Sequence, residues 1–455
     1  MAKASPRMIG SIVAAGVIAG AIAVAAIVWR PAIAAIEPPA PQSFDSALVK
    51  RGRILADIGN CNDCHTVRGD KNFAGGLPVP TPFGTVYSSN ITPDAETGIG
   101  RWSEAAFRRA MESGVDRDGR HLYPTFPYDH FTHVSAEDDR ALYAYLMTRQ
   151  PVRAAAREND LSFPFNQRVA IAGWKLLFLR HDTYRPDASK SAEWNRGAYL
   201  VEGLAHCGAC HTPRNALGAE KAREPFAGGD VDNWHAYAIN SASPAPVPWN
   251  ADALFEYLRQ GWHPDHGVAR GPMAPVVSNL SAVPESDIRA IATYMAEMFG
   301  APTPERKRRG DDVLAQAASR PAQAPPSGNG GAAVYDAACA TCHASDRTPP
   351  YGGINLLLST AISGPDPRNA ANIVLSGIRP AEGERGPIMP GFADSMSDTQ
   401  IAALLDYLRT RFSTQPSWTN TAEIVRDARR AETVYQQTQP SPANSPIDAT
   451  QRDKP

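Results

Sequence analysis

The sequence predicts an all-α protein, three tandem domains of one small helical type behind an N-terminal apolar segment. Three observations predict it. All six cysteines fall in three copies of one motif, CNDCH (61–65), CGACH (207–211) and CATCH (339–343). Each copy follows a short helix-like run and is answered further along by an amphipathic helix pattern. One long apolar run, Met8 to Trp29, precedes all three.

Cys-x-x-Cys-His is the attachment site of c-type haem. Two thiols add across the vinyl groups as thioethers, and the adjacent histidine becomes the proximal iron ligand. The pairs are Cys61 and Cys64, Cys207 and Cys210, Cys339 and Cys342, followed by His65, His211 and His343. Three covalently bound haem c groups are therefore expected. Zinc would need extra ligands converging on one centre. A thioredoxin-like dithiol would need a βαβ setting and no adjoining histidine.

Composition fits this reading. The chain has 455 residues, 43% hydrophobic and 20% charged, a length that suggests about three domains. Net charge is −2, and the short basic run ERKRRG (305–310) lies in a Pro/Ala-rich linker, so no nucleic-acid partner is expected. Forty prolines imply long ordered loops. Lys3 and Arg7 precede the apolar run and Arg30 follows it. A run of this length can span a bilayer, with the basic end cytoplasmic. The alternative is a cleaved signal segment ending near Ala32-Ile33-Ala34. Either reading exports the haem segments, which places them on the periplasmic side of the inner (cytoplasmic) membrane.

The repeats open on KRGRILADIGNC, NRGAYLVEGLAHC and GAAVYDAAC. They close on DDRALYAYLMTR (138–149), SDIRAIATYMAEMF (286–299) and TQIAALLDYLRTRF (399–412), aligned on Tyr145, Tyr294 and Tyr407. Ser135, Pro284 and Ser397 suit the helix starts. An opening helix with Cys-x-x-Cys-His, a loop-rich middle and a closing helix describe a class I cytochrome c domain. The domains are expected at 44–150, 190–300 and 330–412, after a segment 1–36. The linker 151–189 contains the apolar stretch LSFPFNQRVAIAGWKLLFL, read as packing on the haem domains, or else as a docking face. Residues 301–329 read as a flexible spacer and 413–455 as a disordered tail.

A six-coordinate haem needs a distal ligand. Methionine raises the potential and a second histidine lowers it. Met389, in GPIMPGF, lies 18 residues before Tyr407, and Met273, in GPMAPVV, lies 21 before Tyr294. The equivalent place in the first repeat, 19 residues before Tyr145, holds Phe126. Nearby candidates are His130, His133, His121 and Met111, or the iron is five-coordinate. His130, inside the same loop, is the first choice. Met111, Met396, Met295 and Met298 read as packing residues.

The run FAGGLPVPTPFGTVYSSNITPDAETGIGRW (73–102), followed by HLYPTFPY, resembles the three-haem cytochrome c subunits of bacterial membrane-bound dehydrogenases. The resemblance extends over about residues 45–412. The alcohol and gluconate dehydrogenase subunits carry a methionine where Phe126 stands. FPYDHF (126–131) looks more like the cytochrome subunits of molybdenum hydroxylases such as nicotinate or aldehyde dehydrogenase. The resemblance implies that a separate catalytic dehydrogenase subunit, favoured as a molybdopterin type, oxidises the substrate. This chain would relay the electrons to a membrane quinone or a terminal oxidase, with no substrate site of its own. There is no Gly-x-Gly-x-x-Gly loop and no spare cysteine for a cluster. The alternative is a peroxidase-like haem enzyme using an open first haem.

Overall fold

The computed structural model describes residues 28–67, 69–319, 330–344, 352–380 and 386–438. They form two compact units. One holds the described residues up to Leu55 together with Asn72–Tyr184. The other holds Ala56–Lys71 and the described residues from Arg185 onward. The division falls inside the helix Ser46–Ile58.

In the first unit the closing helix is Ala136–Met147. The Ser135 hydroxyl accepts a hydrogen bond from the Asp138 N–H, and Glu137, Asp138 and Asp139 occupy its first turn. The capping oxygen satisfies an orphan donor, and the carboxylates suit the positive helix end. The opening helix crosses it at Gly52. A Cβ there would lie 1.9 Å from the Ala141 carbonyl oxygen and 2.7 Å from Tyr145 Cβ. Arg51 pairs with Asp138 at 2.6 Å beside the crossing. The helix Glu104–Ser113 ends at Gly114, with φ of 59°, and the missing side chain makes room for the Tyr128 ring.

The second unit contains the same crossing twice. The helix Ala192–Tyr199 continues as a π-helical turn, Leu200–Leu204, and meets the helix Glu285–Phe299 at Gly197. The Cβ position there is 2.0 Å from the Ala290 oxygen and 2.8 Å from Tyr294 Cβ, and Arg196 bonds Asp287 at 2.8 Å. The helix Gly330–Ala338 meets Asp398–Phe412 at Gly331, 2.1 Å from the Ala403 oxygen and 2.9 Å from Tyr407 Cβ. In this third copy Gly330 and Gln400 stand where the ion pair would be. Gln400 instead closes a capping box with Ser397. The three tyrosines thus mark one helix crossing repeated three times.

The expectation of an all-α chain behind a transmembrane anchor needs correction. Helices dominate, but antiparallel strands make the fold mixed. Pro78–Thr81 pairs with Gly84–Tyr87, which pairs in turn with Asp160–Leu161. Gly229–Val231 pairs with Trp234–Ala236, and Trp262–His263 with Gly267–Val268. These strands are two to four residues long inside Gly/Pro-rich loops, too short to show an alternating pattern. Pro78 and Pro80 lack donors, which suits the edge strand they occupy. The apolar run lies outside the described residues except for its last two positions, Val28 and Trp29. Among the described residues no helix is long and apolar enough to cross a membrane.

Two segments expected to lack regular structure carry helices. The expected spacer opens with the helix Pro304–Ala318, capped by Thr303. The tail holds the helix Thr421–Thr438, whose Val425 and Ala428 are fully buried in the core of the third repeat with Tyr335, Leu404, Leu405 and Trp418. The 151–189 linker contains the helix Arg168–Phe178. It buries Ile171, Ala172 and Lys175 and leaves Val169, Leu176 and Leu177 exposed.

Candidate haem sites

Each motif folds as a short helix, Cys61–His65, Gly208–His211 after Cys207, and Ala340–His343 after Cys339. Cysteines three apart on a helix share one face, and the histidine follows on the next position. The first two motifs are entered through left-handed residues, Asn60 at φ 51° and His206 at φ 39°. All six thiols are free of disulfides. Burial pushes Cys61 and Cys207 up to about 12, and Cys64, Cys210 and Cys339 up to about 11. A redox dithiol needs the opposite shift, toward the thiolate.

Backbone carbonyls orient two of the three histidines. His211 Nδ1 donates to the Tyr237 oxygen at 2.7 Å, and His343 Nδ1 to the Ile354 oxygen at 2.9 Å. A carbonyl can only accept, so the proton sits on Nδ1 and Nε2 keeps the lone pair that binds a metal. Burial lowers both histidine pKa values and keeps the imidazoles neutral. His65 is half-buried at the end of its helix.

Glycines shape the backbone around these groups. A Cβ on Gly353 would lie 2.5 Å from His343 Nδ1, and one on Gly229 would lie 2.6 Å from the Cys210 oxygen. Tyr237 directly follows the Trp234–Ala236 strand, and a bidentate contact holds that strand. Asn369 Oδ1 accepts from the His235 N–H and Asn369 Nδ2 donates to the His235 oxygen, both at 2.8 Å. Sequence reading missed Gly353, Asn369 and the two carbonyls. The glycine pair that recurs after each motif, Gly75–Gly76, Gly228–Gly229 and Gly352–Gly353, was the available signal.

The distal candidates are placed as follows. Met273 is the first residue of the helix Met273–Leu280 and is half-buried. Met389 exchanges two backbone hydrogen bonds of 2.9 Å with Ile378 and packs on the third core. Its carbonyl lies 2.4 Å from where a Gly377 Cβ would be, and Gly377 has φ of 72°. Met396 packs on the same core, while Met111 and Met295 are buried in helices.

In the first unit the Phe126 ring packs on Phe131 and Tyr128, with centroids 5.2 and 6.4 Å away. His130 is buried in the turn Tyr128–Phe131. Both nitrogens of His121 are engaged, Nε2 with the Val28 oxygen at 2.9 Å and Nδ1 with Lys175 Nζ at 3.2 Å. His133 Nδ1 donates to the Asp182 oxygen at 2.5 Å.

Paired thiols on one face of a short helix, each followed by a histidine, two of those histidines neutral with a set tautomer, and methionines beside prolines fit covalently held haem. Known proteins agree with this assignment. A cytochrome c family model matches residues 329–412, the third repeat. One of the nicotinate dehydrogenase subunits of Pseudomonas putida is 47% identical over 434 residues, 94% of this chain, and the chain spans 36% of that protein. The gluconate 2-dehydrogenase cytochrome c subunit of Pantoea cypripedii is 36% identical over 87% of this chain and 92% of its own length. The fructose dehydrogenase cytochrome subunit of Gluconobacter japonicus is 35% identical, over 86% and 84%. Such identity over nearly the whole length of two cytochrome subunits agrees with the geometry of the motifs, and the chain belongs to the family of cytochrome c subunits of bacterial dehydrogenases.

Proposed function

We propose that this chain is the three-haem electron exit of a periplasmic dehydrogenase. The observation that carries the reading is the threefold recurrence of a Cys-x-x-Cys-His helix within one repeated helix crossing. A catalytic dehydrogenase subunit is the partner. It oxidises the substrate, and this chain passes the electrons singly to a membrane quinone or a terminal oxidase. The haem domains 44–150, 190–300 and 330–412 lie on the periplasmic side of the inner membrane.

Each haem, when bound, supplies a one-electron ferric/ferrous couple. The chain's own residues set its behaviour. The cysteine pairs would hold each group covalently, and His65, His211 and His343 would bind its iron. Met273 and Met389 would complete the second and third sites and raise their potentials. His130 would complete the first site and lower its potential. Low-temperature EPR of His130→Ala should change the first haem signal, and an unchanged signal sinks that assignment.

The partner is a molybdopterin hydroxylase. Phe126 departs from the methionine of the alcohol and gluconate type, and the relative at 47% identity belongs to a nicotinate dehydrogenase. Native purification with metal and cofactor analysis tests it. Co-purifying molybdenum supports the reading, whereas a flavin or quinone cofactor would move the complex to sugar or alcohol oxidation. If no other chain co-purifies and carbon monoxide binds the first haem rapidly, the chain is instead a haem enzyme.

A further inference from the structure

We propose that the first and second haem motifs form one direct electron-transfer pair, and that Asn279 is the bracket that sets their register. The inference rests on reading Cys61–His65 and Cys207–His211 as haem sites. Domain order alone leaves open which of the three sites exchange electrons directly.

Two independent contacts, both inside the second unit, bring the motifs together. Asn279 sits near the end of the helix Met273–Leu280, which begins with the distal candidate of the second site. Its Nδ2 lies 2.8 Å from Asn60 Oδ1, 3.2 Å from Asn62 Oδ1 and 3.2 Å from Asp63 Oδ2. One amide group therefore spans the turn that carries Cys61. Its two protons serve three acceptors, so the shortest contact is a full hydrogen bond and the two longer ones share the second proton. On the other side, His206 Nε2 donates to the Gly59 oxygen at 3.4 Å. His206 immediately precedes Cys207, and Gly59 stands two residues before Cys61. Each contact uses one left-handed residue, Asn60 in the first and His206 in the second.

These contacts set the turn that carries Cys61 against the residue before Cys207 and the helix that begins with Met273, so haems held by the two motifs would be neighbours. Transfer across the pair would move one electron, oxidise one iron and reduce the other, and would need no proton. The neutral amide of Asn279 suits this position because it satisfies the half-buried acceptors of the first motif without adding charge. Removing it leaves those acceptors unsatisfied and frees the first motif to shift against the second.

The test uses the full-length haem-loaded protein with Asn279→Ala and the near-isosteric Asn279→Asp. Mass spectrometry of the peptides spanning 61–65 and 207–211 first establishes that both carry haem in the wild type. Absence of haem there would overturn the reading of the sites themselves, before any question of Asn279. With haem in place, flash-initiated electron exchange between the first two sites should slow several-fold in both variants. Asn279→Asp should slow it more, because its carboxylate faces Asn60 Oδ1 and Asp63. The potential of the third haem should not move. Wild-type exchange rates in both variants would overturn the proposal, as would an equal slowing of exchange involving the third haem.

Discussion

Asp139 lies fully buried in the first turn of the helix Ala136–Met147, and neither of its carboxylate oxygens meets a hydrogen-bond partner among the described residues. Burial, reinforced by Glu112, raises its pKa from 3.8 to about 8. The native chain therefore keeps a proton that the unfolded chain releases. Stability from this group is fully present below the unfolded value and is lost as pH rises toward about 8. Asp139→Asn should remove that slope and raise stability at pH 8 by about 1–3 kcal/mol, with little change below pH 4. Urea midpoints at the two pH values check it. Gly353 is the second telling residue. Gly353→Ala places a methyl against the His343 ring; on the three-haem reading, the haem at His343 should shift its potential or lose its low-spin signal while those at His65 and His211 stay unchanged. An unchanged third potential would mean that the loop can move aside. The motif histidine was legible from the sequence because it is covalently next to its cysteine. Gly353 was not, because its role depends on a ring ten positions away in the chain.

At the scale of elements, the repeated crossing is held by close backbone approach more than by charge. A Cβ at Gly52, Gly197 or Gly331 would fall about 2 Å from a carbonyl oxygen of the facing helix, so two backbones would have to separate. Each glycine-to-alanine change should cost roughly 1–3 kcal/mol or more. The flanking pairs Arg51–Asp138 and Arg196–Asp287 involve partly exposed arginines, and each contributes about 0–1 kcal/mol. Thermal unfolding should therefore drop further for Gly197→Ala than for Asp287→Asn, and the reverse order would refute the packing argument. The closing helices were legible because helical periodicity spans a dozen residues. The tail helix Thr421–Thr438 was not, since its mostly polar sequence reveals its apolar face only against the third core. Arg429 ties this helix to the loop after Met389, bonding Asp398 at 2.6 Å, the Met396 oxygen at 2.7 Å and the Ala393 oxygen. Truncation after residue 413 should lower the melting temperature and disturb the third haem first, as followed by its visible spectrum.

For the whole molecule, the relay reading predicts three unequal potentials. Redox titration of the full chain should show one wave below the other two, because histidine stabilises ferric iron more than methionine thioether does. His130→Met should raise that wave toward its siblings, while Met389→His should lower the third. Coincident waves in the wild type would remove the argument from Phe126.

The sequence by itself determined the cofactor chemistry, the number of repeats and the positions of the closing helices. Covalent spacing and helical period are local properties, readable within a few turns of chain. Only the tertiary structure decided which carbonyls orient His211 and His343, which glycine lies under each crossing and that the first motif abuts the second. It also decided that short strands join the loops. Backbone acceptors belong to every residue type, and a glycine's neighbours come from distant chain. Such contacts have no local signature until the fold brings their two halves together.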